Sequence, residues 1–357
     1  MKVVDAVAQI LKAEGVEYLF AYPFNPIIDA AANVDIRPVI VRQERTGLHM
    51  ADAFSRVNSG QKIGVFCMQS GPGSENAFGG VAHAYCDSVP IVVLPMGFAR
   101  SLTNVAPNFN SFVNYRQITK SCEQVTLAQH VPDVLRRAFT QVKNGRPGPV
   151  LVEFPIDVFD EDIPEPVDYR PPSALRCGPD PEAVREVAGV LLEAEQPVIY
   201  AGQGIHYAQA WEALRDLAEL LEAPVMTSLP GKSAFPENHR LYLGAGNRSY
   251  PKPVHDFLQT ADVIFGIGCS FGITNFAVPM PKGKTIIHAT LDPADINKGV
   301  TSEYALIGDA RLTLEALLDE IRERLGGKTR GRVEQVTQKI KSGKADWLSQ
   351  WMPKLTS

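Results

Sequence analysis

Apolar positions along this chain alternate between two patterns. Short, mostly apolar runs rich in Val, Ile and Leu fall at residues 16–22, 37–42, 62–68, 90–95 and 149–154. Runs of that length without a polar face read as strands buried on both sides. Between them the period lengthens: Val3, Val4, Val7, Ile10 and Leu11 recur at helical spacing over 1–14, and helical stretches follow Glu44, span 77–87 and lie near 127–143. Strand and helix in strict alternation predict a parallel α/β sheet. Residues 160–181 break the pattern, with Pro164, Pro166, Pro171, Pro172, Pro179 and Pro181 and an acidic start, and read as a semi-rigid linker. The alternation then resumes, with strands at 197–201, 224–227, 262–268, 285–291 and 304–307, a helix over 207–222 and another from near Asp309. The expected fold class is α/β, with two doubly wound parallel-sheet domains. The boundaries are 1–160, a linker at 161–182, a second domain at 183–326 and a charged tail at 327–357. In that tail Trp347 and Trp351 stand one helical turn apart, a spacing suited to anchoring a helix on another surface.

Composition narrows the function classes. A net charge of −5 argues against a nucleic-acid footprint. No apolar run reaches the roughly 18–20 residues that span a bilayer, and the first residues lack a signal-peptide pattern. Five scattered cysteines without C-x-x-C spacing read as free thiols of a reducing cytosol, so the expected location is cytoplasmic. The seven histidines form no H-E-x-x-H pattern, and no metal ligands are expected on this chain.

The candidate chemistry sits where strands end. Glu44, in Arg42-Gln43-Glu44, follows an apolar strand, and doubly wound sheets place ligands at that edge. The next strand opens into Ser70-Gly71-Pro72-Gly73 and Asn76, and Ala84-Tyr85-Cys86-Asp87-Ser88-Val89-Pro90-Ile91 follows. Taken singly, each has an ordinary reading: Glu44 could face a helix dipole, Gly71 and Gly73 could make a tight turn, and Asn76 could cap a helix.

As a set these residues resemble the pyrimidine-binding domain of thiamine-diphosphate enzymes of the acetolactate synthase type, closely to about residue 165. The later strands resemble the Rossmann-like middle domain of the same enzymes, to about 325. The resemblance implies that Glu44 is catalytic. In that family a glutamate donates a hydrogen bond to the aminopyrimidine ring, whose imino nitrogen then takes a proton from the reactive thiazolium carbon. Gly71, Pro72, Gly73 and Asn76 would shape the pyrimidine pocket. Phe24-Asn25 stands where the acetolactate synthases have Gly-Gly, and the loop holding Phe109 and Asn110 replaces their Phe-Gln-Glu segment. Asn25, Phe109 and Asn110 are therefore candidate substrate contacts, although Asn25-Pro26 could also simply turn the chain.

The other half of the family's cofactor site is not evident. The family binds diphosphate through Mg²⁺ held by a G-D-G motif, and Gly308-Asp309-Ala310 lacks the second glycine, so Asp309 reads as a helix N-cap. The resemblance thus implies thiamine diphosphate, with Mg²⁺ ligands on a partner subunit or a missing domain. It implies a lyase or ligase acting on 2-oxo acids or aldehydes, assembled from two copies of this chain and two of a diphosphate-binding partner. FAD or ADP on the second domain has only Gly202-Gln203-Gly204 in its favour, with Tyr207 where a fingerprint's third glycine belongs. The rival reading is a non-catalytic nucleotide-binding or regulatory protein that kept the fold.

Overall fold

The computed structural model of the chain describes residues 1–274 and 276–356. These form two compact units, Met1–Leu175 and Arg176–Ser357.

In the first unit the elements run α1 (Val3–Ala13), β1 (Tyr18–Ala21), α2 (Ile27–Asn33), β2 (Arg37–Ile40), α3 (Glu44–Val57), β3 (Gly64–Met68), α4 (Pro72–Cys86), β4 (Ile91–Gly97), α5 (Ser111–Asn114), β5 (Ser121–Gln124), α6 (Val131–Lys143) and β6 (Val150–Pro155). The strands are parallel in the order β2-β1-β3-β4-β6-β5. Alternate strand residues serve opposite faces. Leu19, Val65, Cys67, Leu94 and Val152 pack under α1, α2 and α6, whereas Phe20, Phe66, Met68 and Val93 pack under α3 and α4. Burial on both parities is why these strands read as continuous apolar runs. β5 has no such run. Ser-Cys-Glu-Gln lies half-buried at the sheet edge, paired on one side only, so its sequence carries no strand signal.

The second unit continues with α7 (Pro181–Glu193), β7 (Val198–Ala201), α8 (Gly204–Tyr207), α9 (Trp211–Leu221), β8 (Val225–Ser228), β9 (Tyr242–Gly246), α10 (Lys252–Thr260), β10 (Val263–Ile267), β11 (Thr285–Thr290), β12 (Tyr304–Ile307), α11 (Ala310–Leu325) and α12 (Val333–Leu355). Its six parallel strands run β12-β11-β10-β7-β8-β9, the doubly wound order that in dinucleotide-binding folds places a crevice between the first and fourth strands. The helix expected over 207–222 is α9, which starts only at Trp211, because Gln209 takes a left-handed φ of 52° that the helical ladder cannot pass. Asp309 caps α11, accepting from the amides of Arg311 at 3.0 Å and Leu312 at 3.2 Å.

Two cations fasten the segment before α12, with Arg332 donating to the carbonyls of Ala194 at 3.0 Å and Glu195 at 2.9 Å. The guanidinium of Arg330 donates to the carbonyls of Leu191, Leu192 and Ala194 at the end of α7 and to that of Leu221 at the end of α9. Helix C-termini leave such carbonyls unpaired, and a positive charge there also meets the negative end of the dipole.

Candidate functional site

In the first unit β1 leads to β2 on one side, and β2 crosses back through α3 to β3 on the other side of β1, so the strand order reverses between β1 and β3. A crevice opens at such a reversal, beyond the carboxyl ends of the strands. Glu44 is the first residue of α3, preceded by the extended Gln43 with φ −152°. Its carboxylate is thus at the positive end of a fourteen-residue helix and only 5% exposed. Oε2 accepts from Nδ2 of Asn76 at 2.5 Å. Oε1 looks onto the bare Cα of Gly73, where an added Cβ would stand 3.4 Å from it and 2.6 Å from Cγ of Gln69. Gly71 takes the left-handed φ of 62° that starts α4, with Pro72 at the first helical position and the Phe98 ring beside it. The structure therefore brings together Glu44, Gly73 and Asn76, with Gly71 and Pro72 in the same turn.

A second layer holds that turn, and the sequence does not announce it. The hydroxyls of Ser74 and Ser111 lie 3.1 Å apart. The buried Tyr115 hydroxyl donates to the Ser74 carbonyl at 2.5 Å. Ser74 belongs to the glycine motif, but Ser111 and Tyr115 are ordinary residues of an irregular segment. Other motif residues make ion pairs: Arg56 bridges Asp52 on α3 at 2.5 Å and Asp87 at the end of α4 at 2.8 Å, locking the two helices.

The candidate substrate contacts fare differently. The side chain of Asn25 is buried and committed to main chain: Nδ2 donates to Met68 O at 2.9 Å and Leu94 O at 3.3 Å, and Oδ1 accepts from Ile27 N at 3.1 Å. It ties the turn after β1 to the ends of β3 and β4. Beside it Phe24, at a φ of 75°, is 72% exposed. A cavity of about 410 Å³ opens there, walled by Phe24, Ile28, Ile40, Met96 and Ile156, with Asp29 as its one charged side chain. Phe109 stands edge-on to Tyr115, 6.4 Å between ring centroids. Asn110 caps α5, accepting from Val113 N at 3.0 Å and donating to Asn104 at 2.7 Å. Its side chain is used within its own loop.

The second unit has its own glycine turn at the β7/β10 crevice. A Cβ on Gly202 would stand 2.2 Å from Gly268 O, and Gly204 N donates to that same oxygen at 2.8 Å. Main chain of the turn after β10 thus packs directly against this glycine turn. Nearby, His288 is fully buried. Nε2 lies 2.9 Å from Cys269 O and Nδ1 has no partner, and burial pushes its pKa below the usual 6.5. Among the described residues, no three His, Cys, Asp or Glu side chains could together hold a metal ion, and no helix is long and apolar enough to cross a membrane.

Two family models match. Residues 1–122 match the thiamine pyrophosphate enzyme N-terminal TPP binding domain, and residues 184–317 match the central domain of the same enzymes. A probable acetolactate synthase large subunit of Methanocaldococcus jannaschii is 34% identical over 338 residues, covering 89% of this chain and 56% of the relative. Glyoxylate carboligase of Escherichia coli O157:H7 is 31% identical, covering 90% and 56%. Among solved structures, benzoylformate decarboxylase from Polynucleobacter necessarius superposes with a TM-score of 0.79 at 25% identity, over 90% of this chain and 61% of that one. The chain thus spans little more than half the length of these relatives.

Proposed function

Because the chain belongs to the thiamine pyrophosphate enzyme family, we propose that it supplies the pyrimidine half of a thiamine-diphosphate site. The enzyme would be a carbon–carbon lyase or ligase acting on 2-oxo acids or aldehydes. In this reading residues 1–160 are the pyrimidine-binding domain and 183–326 the middle domain, joined by 161–182 and followed by the segment 327–357. One observation carries the reading: a buried carboxylate faces a glycine whose missing side chain leaves room beside it.

Each residue's role follows from its atoms. Asn76 donates to Oε2 and so fixes the carboxyl plane, leaving Oε1 of Glu44 to serve the aminopyrimidine nitrogen. Gly71, Pro72 and Gly73 let main chain lie against a flat ring. At 5% exposure the carboxyl group is kept from bulk water, so its hydrogen bond would go to a bound ligand and not to solvent. Bound thiamine diphosphate supplies the electron sink for making or breaking the bond beside a carbonyl. Asn25 acts by shaping the turn, and the apolar cavity beside it would take the substrate's side chain, with Phe109 and Asn110 on the neighbouring loop. The diphosphate and Mg²⁺ would be held by a partner chain bearing that domain, in an assembly of two copies of each, or by a further stretch of this polypeptide. We place the enzyme in the cytoplasm. Acetolactate synthase, glyoxylate carboligase and benzoylformate decarboxylase among the relatives support the reaction class. In the second unit Tyr207, where a fingerprint's third glycine belongs, weighs against the nucleotide-binding rival.

The test is native mass spectrometry of the chain purified from its own cells with thiamine diphosphate and Mg²⁺, followed by turnover of 2-oxo acids with wild type and Glu44→Gln. A second polypeptide with bound cofactor, and turnover lost in the variant, is the expected result. Unchanged turnover in the variant would falsify the role of Glu44.

A further inference from the structure

Behind the turn lies a buried acid with no part in the chemistry above. Glu153 lies within β6, two residues before its end, and is 4% exposed. It occupies space that Gly97 of the neighbouring strand leaves empty, since a Cβ on Gly97 would stand 3.1 Å from its carboxyl carbon. Gln124, at the end of edge strand β5, donates to Oε1 at 2.6 Å. The Ser111 hydroxyl and the amides of Ser111 and Phe112, which begin α5, also face its carboxylate. A carboxylate accepting several donors from one short segment is a strong local anchor. Burial pushes its pKa up, and these donors oppose the shift. From Ser111 the path continues to the Ser74 hydroxyl, 3.1 Å away, one residue beyond Gly73. Hydroxyls in such a chain orient together. The Ser111 hydroxyl donates to that of Ser74, which donates on to the Gln69 carbonyl at 3.4 Å, while the Ser111 and Phe112 amides hold the same segment on Glu153.

We propose that Glu153 is a positioning residue: through Ser111 and Ser74 it sets the first turn of α4 against the Glu44 carboxylate. The role in cofactor activation rests on the function proposed above, but the relay does not. A plain packing acid has no reason to be wired to the glycine turn on another strand. Glu153 is, in this account, the rear support of that turn, and Gln124 and Gly97 are the features that admit and hold it.

Amide hydrogen exchange on the whole chain, without cofactor, tests the relay in wild type, Glu153→Gln, Glu153→Asp and Ser111→Ala. Glutamine presents an NH₂ group to donors that need an acceptor. The expected result is about tenfold faster exchange over 110–116 and also over 72–77, with peptides 263–290 of the second unit unchanged. Aspartate keeps the charge and is expected to restore part of the protection. Ser111→Ala should loosen 72–77 while leaving Glu153 in place, so the relay stays testable even if the glutamine variant unfolds. Loosening confined to 110–116 would overturn the proposal, as would loosening throughout the chain. In the assembled enzyme, Glu153→Gln should lower kcat about tenfold with little change in KM, because misplacing a distant support costs turnover first. If wild type shows no protection on adding thiamine diphosphate while the relay result holds, the cofactor reading fails and the positioning of the turn stands.

Discussion

Both units have six parallel strands, a reversal in strand order and a glycine turn beyond a strand at that reversal, yet the turns receive different things. In the first unit the space beside Gly73 holds a carboxylate oxygen and the flexible stem of Gln69. In the second, the space beside Gly202 and Gly204 holds the main chain of Gly268 and Cys269. A glycine turn records only that something comes close. Side chains can withdraw for a ligand, but a hydrogen-bonded main chain cannot. The first unit's turn faces movable side chains, and the second unit's turn faces its own main chain.

The largest expected effect falls on the first unit alone. Glu44→Gln should cost about 10²- to 10⁴-fold in turnover, the range for a lost proton-transfer group. All three tryptophans, Trp211, Trp347 and Trp351, lie in the second unit, so urea unfolding followed by tryptophan fluorescence should be unaltered. A shifted midpoint would mean that the units are not independent in this respect.

Alanine at the two glycine turns comes next. Gly202→Ala sets a methyl group against a carbonyl oxygen and should destabilise the second unit by about 1–3 kcal/mol, seen as a lowered tryptophan midpoint. Gly73→Ala meets a movable side chain, so stability should change by less than about 1 kcal/mol while thiamine-diphosphate binding weakens. Equal stability losses in the two variants would break the comparison.

Smaller still are two opposed pH slopes. Burial holds the His288 pKa below its unfolded value near 6.5. Its contribution is present above that pH and is lost as pH falls toward the folded value. Glu153 is raised above 4.5, so its contribution is present below that pH and lost as pH rises through the folded value. From pH 7 downward the second unit should weaken, by at most about 1.4 kcal/mol per pH unit for one proton, and His288→Gln should flatten the slope. A tryptophan midpoint independent of pH in wild type would contradict the burial of that imidazole.

The last prediction changes no energy. Cys86 and Cys177 are exposed and should label at once with a thiol reagent. Burial raises the Cys67 thiol well beyond its usual range and pushes Cys269 up to about 12. Cys67, fully buried, should react only when the first unit opens, and the half-buried Cys269 should react more slowly than the exposed thiols because its raised pKa leaves little thiolate. Cys67 reacting as fast as Cys86 would show the first sheet to be loose.

Much of this architecture is legible in the sequence because burial on both faces leaves unbroken apolar runs. β3 and β4 of the first unit and β10 of the second are of that kind. Two of the four edge strands escape the pattern: β5 is polar and half-buried, and β9 carries two glycines. For the candidate site, the strand-end logic places Glu44 and the Gly71–Gly73 turn at one sheet edge. It gives no hint that the Asn25 amide is consumed by Met68 and Leu94, or that Asn110 is held by its own loop. The partners of Asn25 lie dozens of residues away and those of Asn110 in an irregular loop, and no periodicity encodes either. Glu153 is the sharpest instance. In sequence it is one acid within an apolar strand, and only the glycine across from it and the loop beyond reveal what it touches.

Arg330 carries a consequence for how the second unit comes apart. Its one guanidinium terminates α7 and α9, two helices separated in sequence by a strand and a turn. When either last turn frays, the shared cap is disturbed for the other, so the two ends should open as a single cooperative event and not as two private ones. Fraying at helix ends is normally local noise. Here it is made common to two helices, and the noise of each becomes information about the other.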